Sequence, residues 1–386
     1  MKILRVIAEN LHNYDEGIMD ISLVASDRVL KQSDLFQLQG SIYSQNIVAL
    51  VGINASGKTR TLSILEYILN ILLEKRDLNG FLPIPYGIGD GTTFRVYFID
   101  NNKVYEWTAI LAATKKSQGI NLVYKEEILK EKTLASVKTR AALFNFAGDA
   151  VGQKRSELDP SILEMMKNDS SITVKFNKDR PQHVISFVRE SNYNVLSPTG
   201  TIPPEVINVF DTSIEYIDCS VNEGGAFCKL KFREEEQAYE IRNFAQINEI
   251  LSSGTVKGNE VFIRAIAALS CGGYLIIDEV ENHFHKELVK LLLDLFKNKS
   301  TNPHGATIIF STHYIEILDI VDRKDNIYLT IKNKNKICVK KYSEYVKRND
   351  LKKSEILISG IVKGTAPKYE NIKRFKELVY QWMQKS

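Results

Sequence analysis

Gly52-Ile53-Asn54-Ala55-Ser56-Gly57-Lys58-Thr59 fills every fixed position of the phosphate-binding loop pattern Gly-x-x-x-x-Gly-Lys-[Ser/Thr]. Before it, Ile47-Val48-Ala49-Leu50-Val51 is an apolar run of strand length; after it, Leu62, Leu65, Ile68, Leu69, Leu72 and Leu73 recur at helical spacing. Strand, loop and helix therefore follow in the order a phosphate cradle requires. Glycines let backbone N–H groups crowd around an anion, and the positive end of the new helix favours it. This assigns Gly52, Asn54, Ala55, Ser56, Gly57, Lys58, Thr59 and Arg60 to nucleotide binding, with Lys58 reaching the β- and γ-phosphates and the Thr59 hydroxyl ligating magnesium.

Two later strands end in polar residues. Tyr274-Leu275-Ile276-Ile277 runs into Asp278-Glu279, and Thr307-Ile308-Ile309-Phe310 runs into Ser311-Thr312-His313. In α/β sheets, ligands bind at the carboxyl ends of strands. Asp278 is placed as the Walker B carboxylate that completes the magnesium shell with Thr59. Glu279 is placed to orient or deprotonate the attacking water, with Glu281 as the weaker rival base. His313 is placed to donate a hydrogen bond to the γ-phosphate. The catalytic set is thus Lys58, Glu279 and His313, and the cofactors are ATP and Mg2+. His283 and His285 alternate at a helix start, a spacing that points them to different faces and argues against a metal site.

The rest of the chain reads as context for that site. Residues 1–124 form an N-terminal lobe: strands at Leu4–Ile7 and Ile18–Leu23, and a hairpin of Thr93–Phe98 and Val104–Ile110 around Asn101-Asn102, with a third strand at Ile120–Tyr124. Residues 125–244, with charged helical stretches and breaks at Lys167–Ser171 and Pro203-Pro204, read as an inserted, mainly helical arm. No sustained heptad marks a long coiled coil. Residues 245–386 return to the chemistry and end in a basic tail: 323–386 hold 17 Lys+Arg and 6 Asp+Glu, a balance of +11 that leaves −7 for residues 1–322. No apolar segment reaches membrane-spanning length and Met1–Ile7 lacks a leader's features, which predicts a cytoplasmic protein without membrane contact. The four cysteines, Cys219, Cys228, Cys271 and Cys338, show no Cys-x-x-Cys spacing and read as reduced thiols.

Leu251-Ser252-Ser253-Gly254-Thr255, upstream of the carboxylate strand, looks like the ABC-class signature motif Leu-Ser-Gly-Gly-Gln. With Gly52–Thr59, Tyr274–Glu279 and Ser311–His313, it makes the chain resemble the soluble, SMC-like branch of ABC ATPases. Asp278-Glu279-Val280-Glu281-Asn282 with His285, and the tail Gly360–Tyr369, are similar to AAA-domain proteins related to OLD-type ATPases. That group includes ATPase subunits of bacterial anti-phage systems such as AriA of PARIS and abortive-infection ATPases. The resemblance covers residues 1–125 and 245–386. It implies an α/β P-loop NTPase of the ABC-ATPase type, with a mixed sheet, an antiparallel β layer and the inserted arm. It implies an ATP-sandwich homodimer or higher homo-oligomer in which Ser252, Ser253 and Gly254 complete the partner's site, and an effector partner of toxin or nuclease type encoded nearby. Nucleic acid is a further partner class, under a DNA-repair or DNA-clamping alternative. Ser253 and Thr255 depart from the motif, His12 stands where relatives often carry Arg, and Gln118 is the weak Q-loop candidate. An OLD-type nuclease is not expected after Thr330, where no acidic metal cluster follows.

Overall fold

Ile47–Val51 is strand β5, buried along its whole length, and it divides two hydrophobic cores by alternation. Ile47, Ala49 and Val51 face one cluster and Val48 and Leu50 the other, as strict side-chain alternation on a covered strand requires. The computed structural model describes the chain apart from residues 30–33, 81–82, 117–118, 149–150, 180, 191–195, 197–199, 223–224, 243–245, 283, 347–351, 360–368 and 385–386. Gln118, His283 and most of the Gly360–Tyr369 motif lie outside the described residues.

Around β5 the nucleotide sheet runs β10 (Val184–Ser186), β15 (Tyr274–Ile277), β16 (Thr307–Thr312), β5, β17 (Ile327–Asn333), β18 (Lys336–Lys341). All neighbours are parallel except the β17–β18 hairpin. Helix α1 (Lys58–Leu73) leaves the phosphate loop with Leu62, Ile64, Leu65, Tyr67, Ile68, Leu69 and Leu72 all fully buried. It is apolar on nearly every side because it lies between two sheets: its core is shared with a second, antiparallel sheet of order β2 (Met19–Ser22), β1 (Lys2–Glu9), β6 (Thr93–Asp100), β7 (Lys103–Lys116), β8 (Gly119–Thr133), β9 (Val151–Lys154). The β6–β7 turn is the expected one, with Asn101 and Asn102 both at positive φ. On the opposite face of the nucleotide sheet lie α6 (Ser253–Cys271) and α7 (Lys286–Lys297), each packing apolar residues into the other core.

The remaining elements are a β3 (Leu35–Gln39) and β4 (Ile42–Gln45) hairpin and the short helices α2 (Arg140–Phe144), α3 (Pro160–Met165), α4 (Pro204–Phe210), α5 (Ile247–Ile250), α8 (Tyr342–Tyr345) and α9 (Lys353–Ile358), with a longer α10 (Tyr369–Met383). A four-stranded sheet of order β11 (Gly200–Thr201), β12 (Ile214–Asn222), β13 (Gly225–Phe232), β14 (Tyr239–Ile241) completes the molecule. Three expectations change here. Residues 125–244 are not mainly helical: strands dominate and the helices are short. The boundary at 124 falls inside β8, whose pairing with β7 continues to Thr133, and β10 pairs with β15 inside the nucleotide sheet, so the segment is woven into both lobes. Cys219 and Cys228 are not reduced thiols; the β12–β13 register sets them directly opposite one another, with Cα atoms 4.1 Å apart, and they form a disulfide. Cys271 and Cys338 are free.

Candidate nucleotide site

The phosphate loop folds as its glycines dictate. A Cβ on Gly52 would lie 2.4 Å from the Thr330 carbonyl and hydroxyl, and one on Gly57, at φ +108°, would lie within 2.8 Å of Ile337. Both positions exclude any side chain. Ala55 is also at positive φ, 62°. The loop opens on a cleft of about 470 Å³ lined by Asn54, Ala55, Gly57, Lys58, Thr59, Arg60, Glu279, His313, Lys332 and Ile337.

Lys58 Nζ donates to the carbonyls of Gly52 at 2.8 Å and Ile53 at 3.1 Å, and to His313 Nδ1 at 2.9 Å. An ammonium only donates, so Nδ1 is the bare ring nitrogen and the ring proton is on Nε2. That proton is donated to Glu279 Oε1 at 2.6 Å. Lysine, histidine and carboxylate therefore form one chain across the cleft. Burial holds the Lys58 pKa below the ordinary lysine value, against the carboxylates of Asp278, Glu279 and Glu281. For Glu279, burial works upward, but the hydrogen bonds from His313 and Asn282 prevail and its pKa lies below the ordinary value.

Glu279 sits at φ +52°, and its position is fixed from two sides. Its N–H donates to Ser311 Oγ at 2.8 Å, and Asn282 Nδ2 donates to Oε2 at 2.8 Å. Ser311 in turn donates its hydroxyl proton to Asp278 Oδ1, while Asp278 Oδ2 accepts from Thr59 Oγ1 at 2.5 Å. Thr59 and Asp278 thus present adjacent hard oxygen donors beside the phosphate cradle, a donor set that fits Mg2+. Glu281, the rival base, accepts the His313 N–H at 2.6 Å and is buried, a position that orients the backbone of the histidine rather than reaching the cleft.

With this geometry in view, residues 232–319 match the family model described as "AAA domain, putative AbiEii toxin, Type IV TA system". Among solved structures, the chain is similar to the SMC head domain from Thermotoga maritima at 15% identity, over 88% of this chain and 99% of that one, with a TM-score of 0.38. It is similar to the Smc head domain derived from Pyrococcus yayanosii at 9% identity, over 88% and 97%, with a TM-score of 0.41. It is also similar to the recombination mediator RecF at 10% identity, over 87% and 97%, with a TM-score of 0.34. No curated protein matches the sequence.

The structure brings Asn54, Ala55, Gly57, Lys58, Thr59, Arg60, Asp278, Glu279 and His313 together. Two loop residues point elsewhere: Ser56 turns inward to share a hydrogen bond with the Thr330 hydroxyl at 2.8 Å, and Gly52 contributes its carbonyl to Lys58. The guanidinium of Arg60 lies 4.4 Å over the Tyr86 ring, beside Asn13, whose side-chain amide donates to the Tyr86 hydroxyl at 3.2 Å. Ser252, Ser253 and Gly254 do not line the cleft. Ser252 caps α6 through the Thr255 N–H at 3.0 Å, leaving Ser252 and Ser253 exposed at the helix start. Sequence reasoning missed Lys332 and Ile337, which no motif marks. Ser311 and Asn282 lie inside the quoted motifs with no role assigned by them; the signals in the sequence are a hydroxyl two residues before the histidine and an amide three after the base. His285 is the N-cap of α7. Among the described residues no helix is long and apolar enough to cross a membrane.

Proposed function

We propose that this chain is an ATP-hydrolysing regulatory ATPase whose complete site forms between two copies. The observation that carries the reading is the Lys58–His313–Glu279 chain standing beside the Thr59–Asp278 pair on one cleft. The loop N–H groups and Lys58 bind the triphosphate, and Thr59 and Asp278 hold magnesium, which neutralises phosphate charge when bound. Glu279, ionised and held by Asn282, accepts a proton from the attacking water. His313 exchanges its bond to Glu279 for one to the terminal phosphate, and releases Glu279 as it does so. Ser252, exposed, and Gly254, half-buried, stand at an α6 helix start that does not line this chain's own cleft, and complete the site of the second copy.

In biological role the reading is a sensor or scaffold subunit of an anti-phage, abortive-infection system in the cytoplasm, controlling a toxin or nuclease partner. The description of the matched family, which names a toxin and a toxin–antitoxin system, supports this. Residues 125–244 and the basic C-terminal segment are the regions read as carrying partner specificity, since the hydrolytic residues leave little freedom. A second reading, a DNA-repair or DNA-clamping ATPase, is favoured by the +11 balance of residues 323–386. ATPase activity stimulated by DNA, with binding that weakens steeply in salt, would select it.

The test is Glu279→Gln. The variant is expected to bind ATP, lose about 10²-fold or more in kcat, and sediment as a dimer with ATP but not with ADP. A variant that stays monomeric at saturating ATP defeats the shared-site reading; one that hydrolyses at the wild-type rate defeats the assignment of Glu279.

A further inference from the structure

Strand β18 carries Ile337 in the wall of the phosphate cleft and Lys341 at its other end, about 13 Å further along at ~3.3 Å per residue. Around Lys341 a second cleft of about 620 Å³ opens between the edge of the antiparallel sheet, the end of β18 and α2. Its lining includes four cations, Arg5, Arg140, Lys340 and Lys341, against two carboxylates, Asp20 and Glu344. Arg5 and Asp20 neutralise each other through two hydrogen bonds, of 2.8 and 2.5 Å.

The other cations are not neutralised in this way. Arg140 donates one guanidinium nitrogen to the Ala25 and Ser26 carbonyls, and Lys341 lies 5.7 Å over the Tyr328 ring. Among the described residues neither forms an ion pair. Lys341 is half-buried; burial lowers its pKa, the carboxylates of Asp325 and Asp20 pull it up, and Arg5 and Arg140 push it down. Asp325 does not answer it, because its oxygens are taken by the Ser26 and Asp27 N–H groups and by Arg323. A half-buried ammonium without a counter-ion is costly, and an arriving anion removes that cost. Beside the cations stand two aromatic rings, Tyr328 and Phe144, and Glu344, whose exposed carboxylate, when ionised, accepts hydrogen bonds and donates none.

We propose that this cleft is a second anion site, separate from the phosphate loop, that takes a small phosphate ester of nucleotide size. Its phosphate lies between Arg140 and Lys341, its apolar ring against Phe144, and its hydroxyl or amino groups donate to Glu344. The volume falls in the range of small-molecule sites, roughly 300–1,000 Å³, and the lining carries both signs, which suits a ligand with donors as well as phosphate better than a uniform polyanion. Because β18 forms part of both clefts, occupancy at Lys341 bears on the wall that Ile337 gives the phosphate loop.

The test uses the full chain in a Lys58→Ala background, which removes phosphate-loop binding, titrated calorimetrically with AMP, ADP and inorganic pyrophosphate. One remaining site is expected, weakened at least tenfold by Lys341→Met and again by Arg140→Gln, while both variants still melt cooperatively. In the wild-type background the same two substitutions leave the loop's own nucleotide binding intact, which separates failure here from failure of the ATPase reading. The proposal is overturned if the Lys58→Ala protein binds none of the three probes at millimolar concentration, if binding survives both substitutions, or if only a DNA oligonucleotide binds.

Discussion

His313 and Glu279 hold each other at 2.6 Å across the cleft, so each sets the other's chemistry. With His313→Ala the downward pull on the Glu279 carboxyl is lost, and burial, which works upward, is left less opposed. The acid limb of the ATPase pH profile is therefore expected to move to higher pH, with kcat falling about 10²-fold; an acid limb that stays in place while kcat falls would separate the histidine from the base. Away from the site, Lys2 is fully buried, donates to the Gly305 carbonyl and to Thr307 Oγ1, and has its pKa pushed down by burial to about 7. The folded value lies below the unfolded one, so between pH 7 and about 10.4 only the unfolded chain holds this proton, and stability rises with pH across that window. Urea melts at pH 7, 8 and 9 should show wild type gaining on Lys2→Met, by at most about 1.4 kcal/mol per pH unit. A constant difference between the two proteins would refute the assignment.

The element β5–loop–α1 was legible because three independent signals coincide in it: an apolar run, glycines at fixed spacing, and a helical apolar period. The same holds for β15 and β16, which end in Asp278 and His313. The β12–β13 hairpin was not legible. Its alternation is there, with Ile217, Cys219 and Val221 on β12 and Cys228 and Leu230 on β13, but the charged residues between them read as helix-compatible, and the turn region lacks an Asn-Gly or Asp-Gly signal. Only the register reveals that Cys219 meets Cys228, since a spacing of nine residues is silent until the strands pair. Thiol titration of the denatured, unreduced protein should return two thiols, Cys271 and Cys338. Replacing Cys219 and Cys228 together by Ser should cost about 2–3 kcal/mol, mainly through the freed unfolded chain. Four titrating thiols would remove the bridge.

Across the whole molecule, the C-terminal segment is tied to the His313 side of the site at one place and projects at another. Ser354, in α9, donates to both oxygens of Asp319, at 3.1 Å from its N–H and 2.5 Å from its hydroxyl. Asp319 ends the turn Ile315–Asp319 that follows His313, so α9 rests on the backbone that carries the histidine. Beyond it α10 presents exposed side chains from Glu370 to Met383, with Ile372, Phe375 and Val379 along one side and Lys373, Arg374 and Lys376 beside them. A helix of this length gains little from its own hydrogen bonds in water, and charges on its surface contribute little to stability. Reversing Lys373 and Arg374 to Glu should therefore leave the melting temperature and basal ATPase near wild type while weakening capture of the proposed effector partner. Lys58→Ala should do the opposite at the site, abolishing hydrolysis without altering α10. If charge reversal leaves capture intact and Lys58→Ala alone abolishes it, recognition belongs to the nucleotide-bound core, and the C-terminal segment is a solvated face.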